Sequence, residues 1–376
     1  MPLSLPADPP SARSLTGVVP HMLASLDGAD DWLPPASSAI VFVIDGLGRA
    51  NLAARAGHAR YLAGAMAKRD IAHTVFPSTT AAALTSLLTG RSPGTHGIVG
   101  YRLRIPGTDE APNQLKGWET HGLDPLTWQR SEPLLEREHR AGRPCFVVTR
   151  SEYAATGFTE AILRGGRFVG ADDLDERVER AAELAADHPG ALVYLYAPEL
   201  DSLGHRHGWE SDEWSAGLER VDAAARLLTR RAASGTGVLV TADHGMVDVP
   251  RHRHLLLQEG DGLVDDVRVI AGEPRMLHLY AEPGRADAVL AAWQAAESGR
   301  SWVMGRDDAV QAGLFGPTDS EVLPRIGDVL VAARAGVAYY DDRVADKGSQ
   351  RMVGQHGSLT AEERIVPLIR LGAYAA

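Results

Sequence analysis

The chain has 376 residues, 44% of them hydrophobic, which allows a large buried core and argues against wholesale disorder. Its formal net charge is -11 with the acid excess spread along the chain, which disfavours a nucleic-acid-binding surface of clustered Lys and Arg. A lone cysteine, Cys145, rules out an internal disulfide, no run has the ~18 apolar residues of a membrane span, and the first twenty residues lack a signal-peptide core, so a soluble, cytoplasmic protein is expected.

About 38 residues rich in Pro, Ser and Asp come first and read as an arm wrapping the core. Residues 39–44 are an unbroken apolar run, suited to a central strand buried on both faces, and they stop at Asp45-Gly46. The spacing predicts a helix over 52–67, a strand over 71–76, and a helix over 80–89 closed by Gly90. Strands follow at 145–149, 191–196 and 237–241, with helices at 172–186 and 212–232 and a last strand at 365–371. Strands alternating with helices predict an α/β fold, a mostly parallel sheet covered on both faces. Residues 247–350 break the rhythm, with strands at 275–280 and 328–333 around a helix at 286–296. They read as a small α+β insert, cap-like, between core segments 1–246 and 351–376. A loop-like stretch, 101–130, carries Trp118 and Trp128, which are candidates for a substrate pocket.

In open α/β sheets, functional groups gather beyond the carboxyl ends of the strands. Here one strand ends at Asp45, a second leads into Asp201 and His205, and a third ends at Asp243-His244-Gly245. His356 lies shortly before the last strand. A single Asp after a strand is more often a turn or helix cap. Three such endings plus His356 are hard to ascribe to turns, and a mixed carboxylate–imidazole set suits zinc first, manganese or iron behind it. The second element is Pro77-Ser78-Thr79-Thr80, where a helix begins. Ser and Thr are favoured caps. A helix start also offers free N–H groups and a positive dipole end to a phosphate, so a cap at Ser78 is compatible with a reactive hydroxyl at Thr80.

These stretches stand in the order Asp45-Gly46, Thr80 to Gly90, Asp201 to His205, Asp243-His244-Gly245-Met246 and Gly354 to Gly357, with Pro93-Gly94-Thr95-His96-Gly97-Ile98 between. In this the chain resembles the type I phosphodiesterase and nucleotide pyrophosphatase family of the alkaline phosphatase superfamily. The resemblance implies an alkaline-phosphatase-like fold and two divalent metal ions. Asp201, His205 and His356 would hold one ion. Asp45, Asp243 and His244 would hold the other, together with the Thr80 hydroxyl. The family's nucleophile lies ten positions before the helix-ending glycine, which selects Thr80 over Thr79. Tyr101 stands where many members carry a phosphate-binding Asn, and Ala81 lacks the aromatic ring that can wall a nucleobase site. The implied activity is metal-dependent hydrolysis of small phosphodiesters or nucleotide pyrophosphate bonds through a phospho-threonine intermediate. A phosphomonoesterase on the same scaffold is the nearest alternative, and a non-catalytic, metal-stabilised binding protein a more distant one.

Overall fold

A computed structural model describes residues 5–375. The chain lays down β1 (Ser38–Ile44), β2 (Ile71–His73), β3 (Cys145–Thr149), β4 (Arg167–Gly170), β5 (Leu192–Ala197) and β6 (Thr236–Thr241). There follow β7 (Val247–Asp248), β8 (His254–Leu257), β9 (Val267–Glu273), β10 (Met276–Ala281), β11 (Ser301–Gly305) and β12 (Val329–Ala333). β13 (Ala338–Asp341), β14 (Gly354–Gln355) and β15 (Ile365–Gly372) close the list in chain order.

The main sheet has seven strands in the order β2-β15-β6-β1-β5-β3-β4. β1 is buried along its whole length and pairs in parallel with β5 on one side and β6 on the other, as its unbroken apolar run requires. β15 is antiparallel to both β6 and β2. Helices Leu174–Asp187 and Asp212–Arg231 each bury one stripe and leave a charged face outward. Their starts are capped by Asp173, accepting from Glu176 N, and Ser211, accepting from Trp214 N.

Residues 267–333 form a second, antiparallel sheet in the order β11-β12-β10-β9, covered by the helix Ala286–Glu297. Its core includes Leu277, Leu279, Trp293, Val303 and Val331. Arg275, next to β10, makes a buried, two-pronged ion pair with Glu363, both bonds 2.8 Å, and so ties this sheet to the segment leading into β15.

Three local expectations change. The arm contains the helix Val18–Leu26, whose Val18, Val19, Met22 and Leu23 are buried in the main core. The helix expected over 52–67 splits into Arg49–Ala54, a 3-10 turn at Ala56–His58, and Arg60–Ala65. Asp222, on the distant helix Asp212–Arg231, accepts hydrogen bonds from Tyr61 N and Leu62 N and so caps a new helix start there. The strand expected over 71–76 ends at His73, because its partner β15 begins at Ile365 and the residue opposite Thr74, Arg364, closes a helical turn.

Candidate active site

β6, β1 and β5 are adjacent and parallel, so their carboxyl ends open on one edge. Ile44 lies opposite Ala197 and Val43 opposite Thr241, which brings Asp45 and Asp243 out side by side just past the sheet. β5 runs into the helix Glu199–His207, where Asp201 and His205 are four residues apart on one face. Closure between β1 and this helix depends on Gly46: its φ is 75°, and a Cβ there would lie 3.1 Å from Asp201 Cα.

The fourth wall is built by the turn before the Thr80–Thr89 helix. Ser78 N donates to Gly357 O, Ser78 Oγ to Ser358 O at 2.7 Å, and Ser78 O accepts from His356 Nδ1 at 3.0 Å. Ser78 therefore pins His356 beside the helix instead of capping it. The cap position falls to Thr79, whose side chain makes no capping bond, so the first-turn N–H groups have no side-chain acceptor.

Together these elements gather a compact cluster. Asp45, Asp243 and His244 can bring one ligand atom each within 4.8 Å of one another, and so can Asp201, His244 and His356. Thr80 Oγ1 is 3.1 Å from His244 Nε2. His205 Nε2 lies 3.3 Å from Asp201 Oδ1, and its ring centroid is 5.2 Å from that of His356. His244 and His356 stack at 3.6 Å. All seven residues expected to hold metal are thus brought into one site, with His244 standing between the two carboxylate groups.

The donor set fits divalent cations. Asp243 Oδ1 accepts from Gly46 N and His244 N, while Asp243 Oδ2 is buried with no hydrogen-bond partner among the described residues. Asp45 Oδ2 accepts from the Tyr196 hydroxyl, while Asp45 Oδ1 is buried with no hydrogen-bond partner among the described residues. Asp201 Oδ1 is a third buried oxygen with no hydrogen-bond partner among the described residues, facing the imidazoles of His205 and His356. The imidazoles repeat the pattern: Nδ1 of His205, His244 and His356 faces the carbonyl of Gly354, Gly245 and Ser78 respectively, which leaves Nε2 as the ligand atom. Burying such orphans is costly unless a cation meets them. Electrostatics agree. Burial, then the charges of Asp243 and Asp201, push the Asp45 carboxyl well above its usual range. Burial, then His244 and His205, hold the His356 imidazole well below its own.

Tyr101 is half-buried, and its hydroxyl accepts a 2.6 Å hydrogen bond from Asn113 Nδ2. Burial raises the phenol's pKa, and the charges of Glu273 and Asp201 add to this. Trp118 and Trp128 lie elsewhere than expected. Trp118 is buried and donates Nε1 to Gln114 O; Trp128 donates to Gln114 Oε1 at 2.7 Å and carries the Arg325 guanidinium 3.7 Å from its ring centre. Both are the apolar core of the 101–130 stretch, because that long loop needs its own packing, and neither lines the space at Thr80.

That space is a cavity of about 460 Å³, reached by Thr80 and bordered by Tyr196, Tyr153, Phe158 and Ile162. Sequence reasoning missed Tyr196, which reads as a strand aromatic, and Glu273, at the end of β9. Glu273 Oε2 lies 3.8 Å from His356 Nδ1, and burial raises its carboxyl well above the usual range. The signal that could have found Tyr196 is its place three residues before the helix that carries Asp201, on the strand next to Asp45.

The chain is 26% identical over 208 residues to human ectonucleotide pyrophosphatase/phosphodiesterase family member 1, a match that spans 53% of this chain and 22% of the human protein. Among solved structures, murine ectonucleotide pyrophosphatase/phosphodiesterase 5 superposes with a TM-score of 0.69 at 18% identity, covering 88% of this chain and 87% of that one. Phosphonoacetate hydrolase from Sinorhizobium meliloti superposes with a TM-score of 0.66 at 21% identity, over 90% and 91% of the two chains. At these identities the likeness is one of fold. The family profile described as type I phosphodiesterase / nucleotide pyrophosphatase matches residues 39–359, and the chain therefore belongs to that family.

Proposed function

We propose that this chain hydrolyses phosphodiester-type bonds with Thr80 as the nucleophile. The observation that carries the reading is the position of the Thr80 hydroxyl: at an uncapped helix start, 3.1 Å from His244 Nε2, beside a cluster of buried, unpaired carboxylate oxygens. Two divalent cations, zinc first on the donor set, would be held by Asp45, Asp243, His244 and Thr80 on one side and Asp201, His205 and His356 on the other, and would supply Lewis-acid stabilisation of charge on the attacking and leaving oxygens.

In the first step Thr80 Oγ1 attacks phosphorus in line, the bond to the leaving ester oxygen breaks, and a phospho-threonine forms. In the second, water attacks the same phosphorus, the bond to Thr80 Oγ1 breaks, and the hydroxyl is restored as the phosphomonoester departs. The free N–H groups of the first helical turn are suited to receive the non-bridging oxygens. Residues 247–350 act in this reading as a cap-like unit that brings Glu273 behind His356.

A diester carries one negative charge at phosphorus where a monoester dianion carries two. Among the described residues lining the cavity at Thr80, Lys116 is the one cation, and Tyr101 would offer a neutral hydrogen bond. That balance favours the diester. The test is a comparison of kcat/KM for bis-p-nitrophenyl phosphate and p-nitrophenyl phosphate with the zinc-loaded chain. The diester is expected to be the better substrate. A clear monoester preference would move the reading to a phosphomonoesterase.

A further inference from the structure

The cavity at Thr80 bears on what the scissile phosphate is attached to. Its wall is largely aliphatic and aromatic: Leu84, Leu115, Phe158, Ile162 and Leu163, with Tyr153 opposite. Several polar groups on the same wall are already engaged by the protein. Thr156 Oγ1 accepts from Thr159 N and pairs with Thr159 Oγ1. Glu119 accepts from Gly157 N. Glu152 faces Arg150, and the Tyr196 hydroxyl is committed to Asp45. Thr149 Oγ1 is the single buried side-chain atom on this wall with no partner among the described residues.

A nucleobase presents several donors and acceptors along its edge, and a pocket that selects one must answer most of them. Against that, this wall sets Thr149 Oγ1, Tyr153, Tyr194 and the Lys116 amine, while the larger share of its surface is carbon. An apolar group asks for no hydrogen bonds and gains from every carbon it removes from water. An engineered apolar cavity of ~150 Å³ accepts one benzene; about 460 Å³ therefore has room for one or two rings or a branched alkyl chain.

We infer that the cavity is a subsite for an apolar ester group, so that the substrates are aryl or alkyl phosphodiesters in place of nucleotides. The inference rests on the reading of Thr80 as the phosphoryl acceptor. The cavity lies directly beside that hydroxyl, and Tyr196 contributes both to its wall and to the fixing of Asp45, so an ester group seated here keeps its phosphorus at the cluster.

The test separates binding from turnover. Calorimetry on the full, zinc-loaded chain compares methylphosphonate, phenylphosphonate and thymidine 5'-monophosphate. Phenylphosphonate is expected to bind at least about tenfold more tightly than methylphosphonate, given the carbon surface it would bury, and more tightly than the nucleotide. Leu115→Asp, at a half-buried position on the wall, is expected to shrink the phenyl-to-methyl ratio severalfold, with folding checked by thermal melting. Equal affinities for phenyl and methyl, or tighter binding of the nucleotide, would overturn the inference, and the unmodified chain decides this without the variant. Turnover of methyl p-nitrophenyl phosphate is followed separately. Its absence would sink the hydrolytic reading while the affinity ratio still judges the pocket.

Discussion

Tyr196→Phe isolates one hydrogen bond at the heart of the site. The Tyr196 hydroxyl, fully buried at the end of β5, donates to Asp45 Oδ2 and so turns Oδ1 toward the cluster. Removing the hydroxyl leaves the ring in place but strands a second oxygen of a buried carboxylate, at a cost of about 1–3 kcal/mol. Groups that orient metal ligands in this way typically contribute 10–100-fold to metal affinity, or roughly 1.4–2.7 kcal/mol, in the same range. Zinc affinity measured by competition with a chromogenic chelator should therefore fall by about that factor, and for one of two bound ions. Tyr194→Phe is the matched control. Its ring stacks on Tyr196 with centroids 6.1 Å apart, and the hydrogen bond to Asp45 Oδ2 comes from Tyr196. Equal zinc affinity in wild type and Tyr196→Phe, or equal losses in both variants, would refute the argument.

Thr80→Ala should remove nearly all diester turnover, at least about a thousandfold by the usual scale for a lost nucleophile, while Thr79→Ala should be much milder; steady-state kinetics with circular dichroism checks both. Burial, with the Arg325 charge behind it, holds His96 down to about 3, and burial holds His278 down to about 4, so both stay neutral in the fold. The unfolded chain protonates them below about 6.5, so their stabilisation is complete above that pH and is lost as pH falls toward these values, at up to ~1.4 kcal/mol per pH unit for each. Urea unfolding at pH 7 and pH 5 should show it, and His96→Gln should flatten the slope. Burial pushes the Cys145 thiol up to about 12, so iodoacetamide at pH 8 should leave the folded chain unmodified and label it rapidly in urea.

The parts of the site written in consecutive residues were legible before any coordinates. Asp45 and Asp243 end apolar runs, and Asp201 with His205 keeps helical spacing, so local pattern and the rule of strand ends sufficed to select them. Thr80 was chosen over Thr79 by the register that the family resemblance supplies, counted back from Gly90, whose φ of 66° closes the helix. What escaped depends on partners far along the chain. The break in the helix expected over 52–67 is set by Asp222, more than 150 residues away. The edge strand β4 is short and only partly buried, so its period is weak. Tyr196 reads as ordinary strand packing because nothing local shows that its hydroxyl meets Asp45. Trp118 and Trp128 suggested a pocket because large aromatics in a loop look available; Gln114, which accepts from both, turns them inward. The cavity itself is assembled from segments between residues 80 and 196, and no single stretch announces it.

The central claim is a two-step displacement through Thr80, and the stereochemical course at phosphorus tests it most directly. Hydrolysis of a phosphorothioate diester of known configuration in isotopically labelled water reads that course without the intermediate having to accumulate. Two in-line displacements at the same phosphorus predict net retention. Net inversion, the mark of direct attack by water, would contradict the account.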